Sequence, residues 1–174
     1  MVTDRTIMVG NKVIVYEPKL ASRIANKGSF GQFIGGKLEL SLEEAAYLRE
    51  DRELEVFDAN GRKLSEKAFM SLCERRQKRF LLRYKVFKDL KTAGYILKTA
   101  FKYGGDFRVY NKGDVPGKTH SEWILYAVNE HEAISFLTFA AINRVAHSVR
   151  KRILFGVVDD EDSVTYYEVT WVRM

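Results

Sequence analysis

The stretch EWILYAVNEHEAISFLTFAAINRVAHSVRKRILFGVV (residues 122–158) decides the predicted fold of this chain. Its two ends, 122–128 and 152–158, are short apolar runs that are typical of buried strands. Between them, residues 134–149 carry apolar side chains at the three- and four-residue spacing of an amphipathic helix. We expect the apolar stripe of that helix to face the core, and it comprises Ile134, Leu137, Ala141, Val145 and Val149.

Shorter segments on both sides extend this pattern. Residues 95–101 and 106–110 predict two strands before the stretch, and residues 165–172 predict one strand after it. The order strand, strand, strand, helix, strand, strand predicts a mixed β-sheet flanked by helices, an α/β (α+β) module. We assign this carboxy-terminal module to residues 84–174. The turn before its last strand is acidic and consists of Asp159, Asp160, Glu161 and Asp162.

The amino-terminal part, residues 1–83, predicts a small mixed α/β module. Ser41 and Glu44 have the spacing of a capping box, in which each residue bonds the other's backbone N–H, so a helix is expected to begin there. Ser65 is expected to cap a second helix. We find no chemistry in this module and interpret it as a scaffold and docking module. Its predicted strands are residues 12–16, 37–40 and 54–57.

Residues 74–91, ERRQKRFLLRYKVFKDLK, predict one basic amphipathic helix that ends at Gly94 and links the two modules. Its apolar face is expected to pack against the core. Two interpretations of the basic face remain open: it is solvated, or it contacts the phosphates of RNA or DNA. The apolar face comprises Phe80, Tyr84, Phe87 and Leu90.

The composition excludes several classes of protein. The 174 residues include 29 Lys plus Arg, 23 Asp plus Glu and 46% apolar residues, which is incompatible with a disordered or collagen-like chain. The single cysteine, Cys73, excludes a disulfide framework and a cysteine-based zinc site. The longest apolar run is too short to cross a bilayer, so we expect a soluble, cytoplasmic protein without a membrane partner. The net charge of +6 modestly favours a polyanionic partner.

No nucleotide-binding, zinc-protease or serine-hydrolase motif occurs in the sequence. Tyr110 and His120 bracket a glycine-containing loop, NKGDVPGKTH (111–120), between two predicted strands. Loops on a rigid sheet often carry catalytic groups, and a histidine can exchange a proton near neutral pH. The alternative is that His120 is an ordinary exposed side chain.

Basic residues also follow one edge of the predicted helix 134–149. Arg144, Ser148 and Lys151 lie at i, i+4 and i+7 and share a face if the helix continues that far, with His147 beside them. Two cations on one face without carboxylate partners indicate either a solvated edge or a bound anion such as a phosphate.

Asp106 and Glu122 allow a metal-dependent alternative. Restriction-type nucleases hold Mg²⁺ with an Asp and a Glu on adjacent strands, followed by a Lys two residues after the Glu. That last position is Ile124 here, which weakens the prediction of a Mg²⁺ site.

Several local motifs together resemble the archaeal tRNA-splicing endonuclease family, in its short single-module type. They are YGGDFRVY (103–110), His120, RVAHSVRK (144–151), the acidic turn and the closing segment TYYEVTWVRM (165–174). The resemblance runs along nearly the whole chain. It implies a restriction-endonuclease-like fold in the carboxy-terminal module.

The resemblance also implies a function. Members cleave precursor tRNA at intron boundaries without a metal or other cofactor: the ribose 2′-OH attacks the adjacent phosphate, leaving a 2′,3′-cyclic phosphate and a 5′-OH. The implied catalytic residues are Tyr110 as the base, His120 as the general acid and Lys151 as the cation that stabilises the transition state. A phenol that only orients the 2′-OH is the alternative for Tyr110.

Two further sites follow from the same resemblance. An arginine and a second flat side chain, which fall on Arg144 and Trp171, are expected to clamp an unpaired base of a bulge–helix–bulge RNA. The acidic turn 159–162 is expected to dock into another subunit. One module per chain then implies a homotetramer, a dimer of dimers, with a heterotetramer of related subunits as the alternative.

Overall fold

The computed structural model describes residues 6–172 and 174, and it divides the chain into two compact units. The amino-terminal unit ends at Tyr84, and the carboxy-terminal unit begins at Lys85. Both units combine a β-sheet with helices, so the predicted α/β (α+β) fold class is confirmed. No helix in the described part of the chain is long and apolar enough to span a membrane.

The amino-terminal unit contains a four-stranded antiparallel sheet with the strand order β1-β2-β4-β3. Alternate side chains of its central strands are buried, as expected of a sheet with one face on a core. The buried side chains include Val13, Val15, Leu38 and Leu40. The strands are β1 (Thr6–Val9), β2 (Lys12–Val15), β3 (Gln32–Ile34) and β4 (Lys37–Ser41), and the helices are α1 (Pro18–Gly28), α2 (Leu42–Glu50) and α3 (Glu66–Arg76).

Local capping signals in this unit agree with the sequence. The Ser41 hydroxyl accepts a hydrogen bond from the Glu44 N–H at 3.2 Å, and the Glu44 carboxylate accepts one from the Ser41 N–H at 2.9 Å. The capping box is therefore confirmed, as is the cap of α3 by Ser65. The predicted strand at 54–57 is wrong. Only Phe57 pairs there, in isolated bridges to Ile7 and Lys63.

The predicted continuous helix over residues 74–91 is also wrong. Helix α3 ends at Arg76, and a separate helix α4 (Phe80–Thr92) follows after a break in which Arg79 adopts φ +61°. Gln77 is extended at this break and donates a hydrogen bond from its side-chain amide to the buried carboxylate of Glu43. The Arg83 guanidinium donates to the same carboxylate at 2.9 Å, so a tertiary polar cluster fixes the break.

The carboxy-terminal unit contains a five-stranded mixed sheet with the order β5-β6-β7-β8-β9. All neighbouring pairs are antiparallel except β7 and β8, which are parallel. A parallel pair needs a crossover connection, and helix α5 provides it. These elements are β5 (Ile96–Thr99), β6 (Phe107–Tyr110), β7 (Trp123–Asn129), α5 (Phe136–Ser148), β8 (Arg152–Val158) and β9 (Val164–Val169), with a 3₁₀ turn at Phe101–Tyr103.

The face of α5 that packs on the sheet differs from the predicted stripe. Leu137 is 78% exposed and Val145 39% exposed, whereas Ala146 is buried in the core. The helix is apolar on more than one side, so periodicity alone does not select the buried face. The packed residues are Phe139, Ile142, Ala146 and Val149, against Ile124, Val128, Ile153 and Phe155 of the sheet.

Candidate active site

The strand order brings three sequence-predicted residues to one edge of the carboxy-terminal sheet. Tyr110 is the last residue of β6, His120 lies three residues before β7, and Lys151 immediately precedes β8. Because β6 runs antiparallel to β7 and β7 runs parallel to β8, the end of β6 and the starts of β7 and β8 share an edge. Backbone hydrogen bonds fix this register, from the Glu122 N–H to the Val109 carbonyl at 2.9 Å and from the Arg152 N–H to the Glu122 carbonyl at 3.1 Å.

Lys151 lies just beyond helix α5 and not on it. The helix ends at Ser148, and Arg150 turns the chain with φ +55°. The helix therefore stops before it reaches Lys151, and the condition under which Arg144, Ser148 and Lys151 would share one helix face is not met. The turn instead places the ammonium group against β7, where its Nζ donates to the Ser121 carbonyl at 2.6 Å.

The charge of Lys151 is affected by its surroundings. Burial lowers the pKa of the Lys151 ammonium, and repulsion from Arg108 lowers it further, while the Glu122 carboxylate acts in the opposite direction. The ammonium is thus a partly desolvated cation next to the strand ends. Such a group interacts more strongly with a nearby phosphate than a fully hydrated lysine would.

Tyr110 is a buried residue, with 4% of its surface exposed. The Arg108 guanidinium lies 6.0 Å from the centroid of its ring, and the Arg108 Nε donates to the Thr99 carbonyl at 3.2 Å. Arg108 therefore lies close to both Tyr110 and Lys151 and adds a second positive charge at this edge of the sheet.

His120 is exposed at the end of the loop that joins β6 and β7. The loop is held by its own hydrogen bonds. The Asn111 N–H donates to Asp114 Oδ2 at 2.9 Å, and the Thr119 hydroxyl donates to the Val115 carbonyl at 3.1 Å. This arrangement leaves the imidazole open to a ligand while its backbone is anchored at the start of β7.

The alternative Mg²⁺ site is contradicted by the register of β6 and β7. Phe107 pairs with Leu125 and Val109 with Trp123, so Asp106 and Glu122 lie about four residues, or about 13 Å, apart along the strands. Both carboxylates also have other partners. Asp106 accepts a hydrogen bond from the Ala127 N–H at 2.9 Å, and Glu122 forms an ion pair with Arg152. The two residues are not brought together as metal ligands.

A second feature of the same unit is a groove of about 480 Å³ between α5 and the chain after β9. Arg144 and Trp171, the two residues of the expected base clamp, both line it. Trp171 is 58% exposed, so its indole is available to a ligand. His147, for which the sequence pattern indicated no role, lines the same groove. Its ring centroid lies 4.5 Å from that of Trp171.

The acidic turn lies at the opposite edge of the sheet, after β8. The Asp159 carboxylate accepts hydrogen bonds from the N–H groups of Glu161 and Ser163, which closes the turn. Asp162 forms an ion pair with Lys85. The turn is therefore a defined structure in which Asp159 is half-buried and Asp160, Glu161 and Asp162 are exposed.

Asp160 forms an ion pair with His131 at 3.0 Å. A hydrogen bond to Asp160 and the charge of that carboxylate raise the pKa of the His131 imidazole. Glu130, His131 and Asp160 offer ligand atoms within 4.8 Å of one another, and all three are exposed. This cluster lies at the edge of the sheet that carries the acidic turn, away from Tyr110, His120 and Lys151.

Comparisons with known proteins match both units of the chain. The family model for the tRNA intron endonuclease catalytic C-terminal domain matches residues 80–166, and the model for the tRNA intron endonuclease N-terminal domain matches residues 5–70. A tRNA-splicing endonuclease of Methanothermobacter thermautotrophicus is 39% identical over 95% of this chain and 96% of its own length.

Two further relatives carry the same name. The tRNA-splicing endonuclease of Thermococcus kodakarensis is 42% identical over 94% of this chain and 95% of its own length. That of Nanoarchaeum equitans is 46% identical over 78% of this chain and 90% of its own length. These matches cover both units and confirm the resemblance drawn from the local motifs. The chain therefore belongs to the tRNA intron endonuclease family.

Proposed function

We propose that this chain is a metal-independent endoribonuclease that excises introns from precursor tRNA by cleaving at bulge–helix–bulge splice sites. The observation that carries the proposal is the meeting of Tyr110, His120 and Lys151 at one sheet edge, in a member of this family. The three side chains come from the ends of three different strands. They offer a phenol, an imidazole and an ammonium, groups that can serve as base, acid and stabilising cation in transesterification by a 2′-OH.

The proposed reaction transfers two protons and exchanges one phosphorus–oxygen bond for another. Tyr110, in its phenolate form, accepts the proton of the 2′-OH as the 2′ oxygen forms a bond to the adjacent phosphorus. The bond from phosphorus to the 5′ oxygen then breaks, and His120 donates a proton to that oxygen. The products are a 2′,3′-cyclic phosphate and a 5′-OH, and no metal or other cofactor takes part.

Two cations support the charge changes in this reaction. Lys151 faces the extra negative charge that develops on the phosphate oxygens in the transition state. Arg108, whose guanidinium lies 6.0 Å from the centroid of the Tyr110 ring, places a second positive charge beside the phenol.

Substrate binding in this proposal uses the groove lined by Arg144 and Trp171. A guanidinium and an indole can hold an unpaired base by its two flat faces without reading its sequence. This suits an RNA that is recognised by its shape, with bases displaced from the helix at the bulges.

We also propose that the working enzyme is a homotetramer, a dimer of dimers, in which the acidic turn 159–162 docks on another subunit. A single chain carries one catalytic set, whereas intron excision needs two cuts. Exposed apolar side chains on the carboxy-terminal unit offer surface for self-association, among them Phe136, Leu137 and Tyr167. A heterotetramer with a related subunit is the alternative, and the mass of the purified active species distinguishes the two.

One experiment tests the proposal. The purified chain is incubated with an intron-containing precursor tRNA in excess chelator, and the ends of the products are identified. We expect the wild-type chain to cleave under these conditions, giving cyclic phosphate and 5′-OH ends. We expect His120→Ala to lose cleavage and Lys118→Ala, in the same loop, to keep it. Loss of wild-type cleavage that Mg²⁺ restores, or unchanged cleavage by His120→Ala, would contradict it.

A further inference from the structure

The indole of Trp171 lies in an exposed segment and makes a ring contact with His147. It follows β9, which ends at Val169, and its neighbours Thr170 and Val172 are exposed. Within residues 6–172 and 174, its one ring contact is with His147, and it has no hydrogen bond or ion pair there. The His147 ring is therefore the aromatic contact that can orient the indole before RNA binds.

The contact between the two rings is close and defined. Their centroids are 4.5 Å apart, and their planes are inclined by 51°. A tilted arrangement at this distance is one of the favourable geometries for two aromatic rings. His147 lies on helix α5, three residues after Arg144, so both side chains project from the same side of a rigid element.

His147 and Trp171 also line a second groove, of about 340 Å³, which Arg150, Lys151 and Arg152 line as well. The two rings thus form a wall that is common to the groove with Arg144 and the groove with Lys151.

From these contacts we infer that His147 is a positioning residue, which holds the Trp171 indole in the orientation that receives an unpaired base of the substrate. This inference rests on the proposed function. Without His147, the indole has to be ordered when RNA binds, and ordering one such side chain weakens binding by about 2- to 10-fold. His147 itself takes no part in the chemical step.

Fluorescence tests the ring contact independently of activity. In a Trp123→Phe background, Trp171 is the single tryptophan of the chain. We expect His147→Ala to lower the anisotropy of Trp171 and to increase its quenching by acrylamide, and we expect His147→Phe, which keeps a ring, to restore both. Ser148→Ala, a neighbouring exposed residue that lines neither groove, is the matched control. Unchanged Trp171 fluorescence in His147→Ala would overturn the inference.

Kinetics on precursor tRNA, with Trp123 intact, test the consequence. We expect His147→Ala to raise KM about 2- to 10-fold with little change in kcat, and we expect His147→Phe to restore KM. In a Trp171→Ala background, we expect His147→Ala to cause no further increase in KM. A large fall in kcat, or an equal effect of His147→Ala with and without Trp171, would overturn the positioning role. If the wild-type chain cleaves no precursor tRNA, the proposed function is wrong, and so is the role of His147 in substrate binding. The fluorescence experiment would still show whether His147 holds the Trp171 indole.

Discussion

The ammonium of Lys151 donates a hydrogen bond to the carbonyl of Ser121 at 2.6 Å. This bond joins the residue before β8 to the residue that follows His120. A side chain that the sequence separates from His120 by thirty residues is thereby held beside the start of β7. The geometry of the proposed site depends on the parallel pairing of β7 and β8. Variants at Lys151 test whether the ammonium held there contributes to cleavage.

The pH dependence of cleavage provides the first prediction. Burial and repulsion from Arg108 lower the pKa of Lys151, and in the proposed mechanism the charged ammonium is the form that stabilises the transition state. Activity should therefore be retained below this lowered pKa and lost as the pH rises through it, earlier than for a free lysine. We expect Lys151→Arg to move that alkaline limb to higher pH, because a guanidinium stays protonated.

Single-turnover rates across the pH range measure this effect. Lys151→Ala removes the cation and should lower the rate by about 10²–10³-fold at neutral pH. Circular dichroism controls for loss of the fold. An identical alkaline limb in Lys151→Arg and wild type would show that another group sets it.

The acidic turn provides the second prediction, which concerns assembly. Asp160→Asn together with Glu161→Gln removes two charges and leaves Asp159 to close the turn through its bonds to the N–H groups of Glu161 and Ser163. We expect the mass in solution, measured by light scattering, to fall from four chains to two, with loss of precursor tRNA cleavage.

Glu66→Gln together with Glu74→Gln makes the same change in net charge on helix α3 and serves as the control for assembly. We expect this control to keep a mass of four chains. A mass of four chains for the double variant in the acidic turn would exclude a role of the turn in docking.

Gly156 provides the third prediction, which concerns stability. A Cβ atom at this position of β8 would lie 2.7 Å from Val86 Cγ1, far inside normal contact distance. Gly156→Ala should therefore lower the free energy of unfolding by about 1–3 kcal/mol. Val86→Ala should relieve the clash, so the double variant should be more stable than the sum of the two single effects predicts. Thermal denaturation of the four proteins measures this coupling, and strict additivity would contradict the steric explanation.

The elements that could be predicted from the sequence are those fixed by local interactions. The capping box of Ser41 and Glu44 needs only four residues, and the apolar runs of β7 and β8 are local patterns as well. The family resemblance assigned Tyr110, His120 and Lys151, but no spacing in the sequence shows that they share a sheet edge. That arrangement requires β7 and β8 to pair in parallel across α5.

The features that could not be predicted depend on tertiary contacts. The break between α3 and α4 follows from the bond of Gln77 to a buried carboxylate 34 residues away. The buried face of α5 is selected by the sheet, since its apolar residues fit more than one face. The contact of His147 with Trp171 joins a helix to the segment after the last strand, which no periodic pattern reveals.

The most direct test of the proposed mechanism asks whether His120 acts as the general acid. In a substrate whose 5′ bridging oxygen at the splice site is replaced by sulfur, the leaving group departs without needing a proton. We expect His120→Ala to cleave the natural RNA about 10²–10⁴-fold more slowly than wild type, and to cleave the sulfur-substituted RNA at nearly the wild-type rate. Equal impairment of His120→Ala on both substrates would contradict the account.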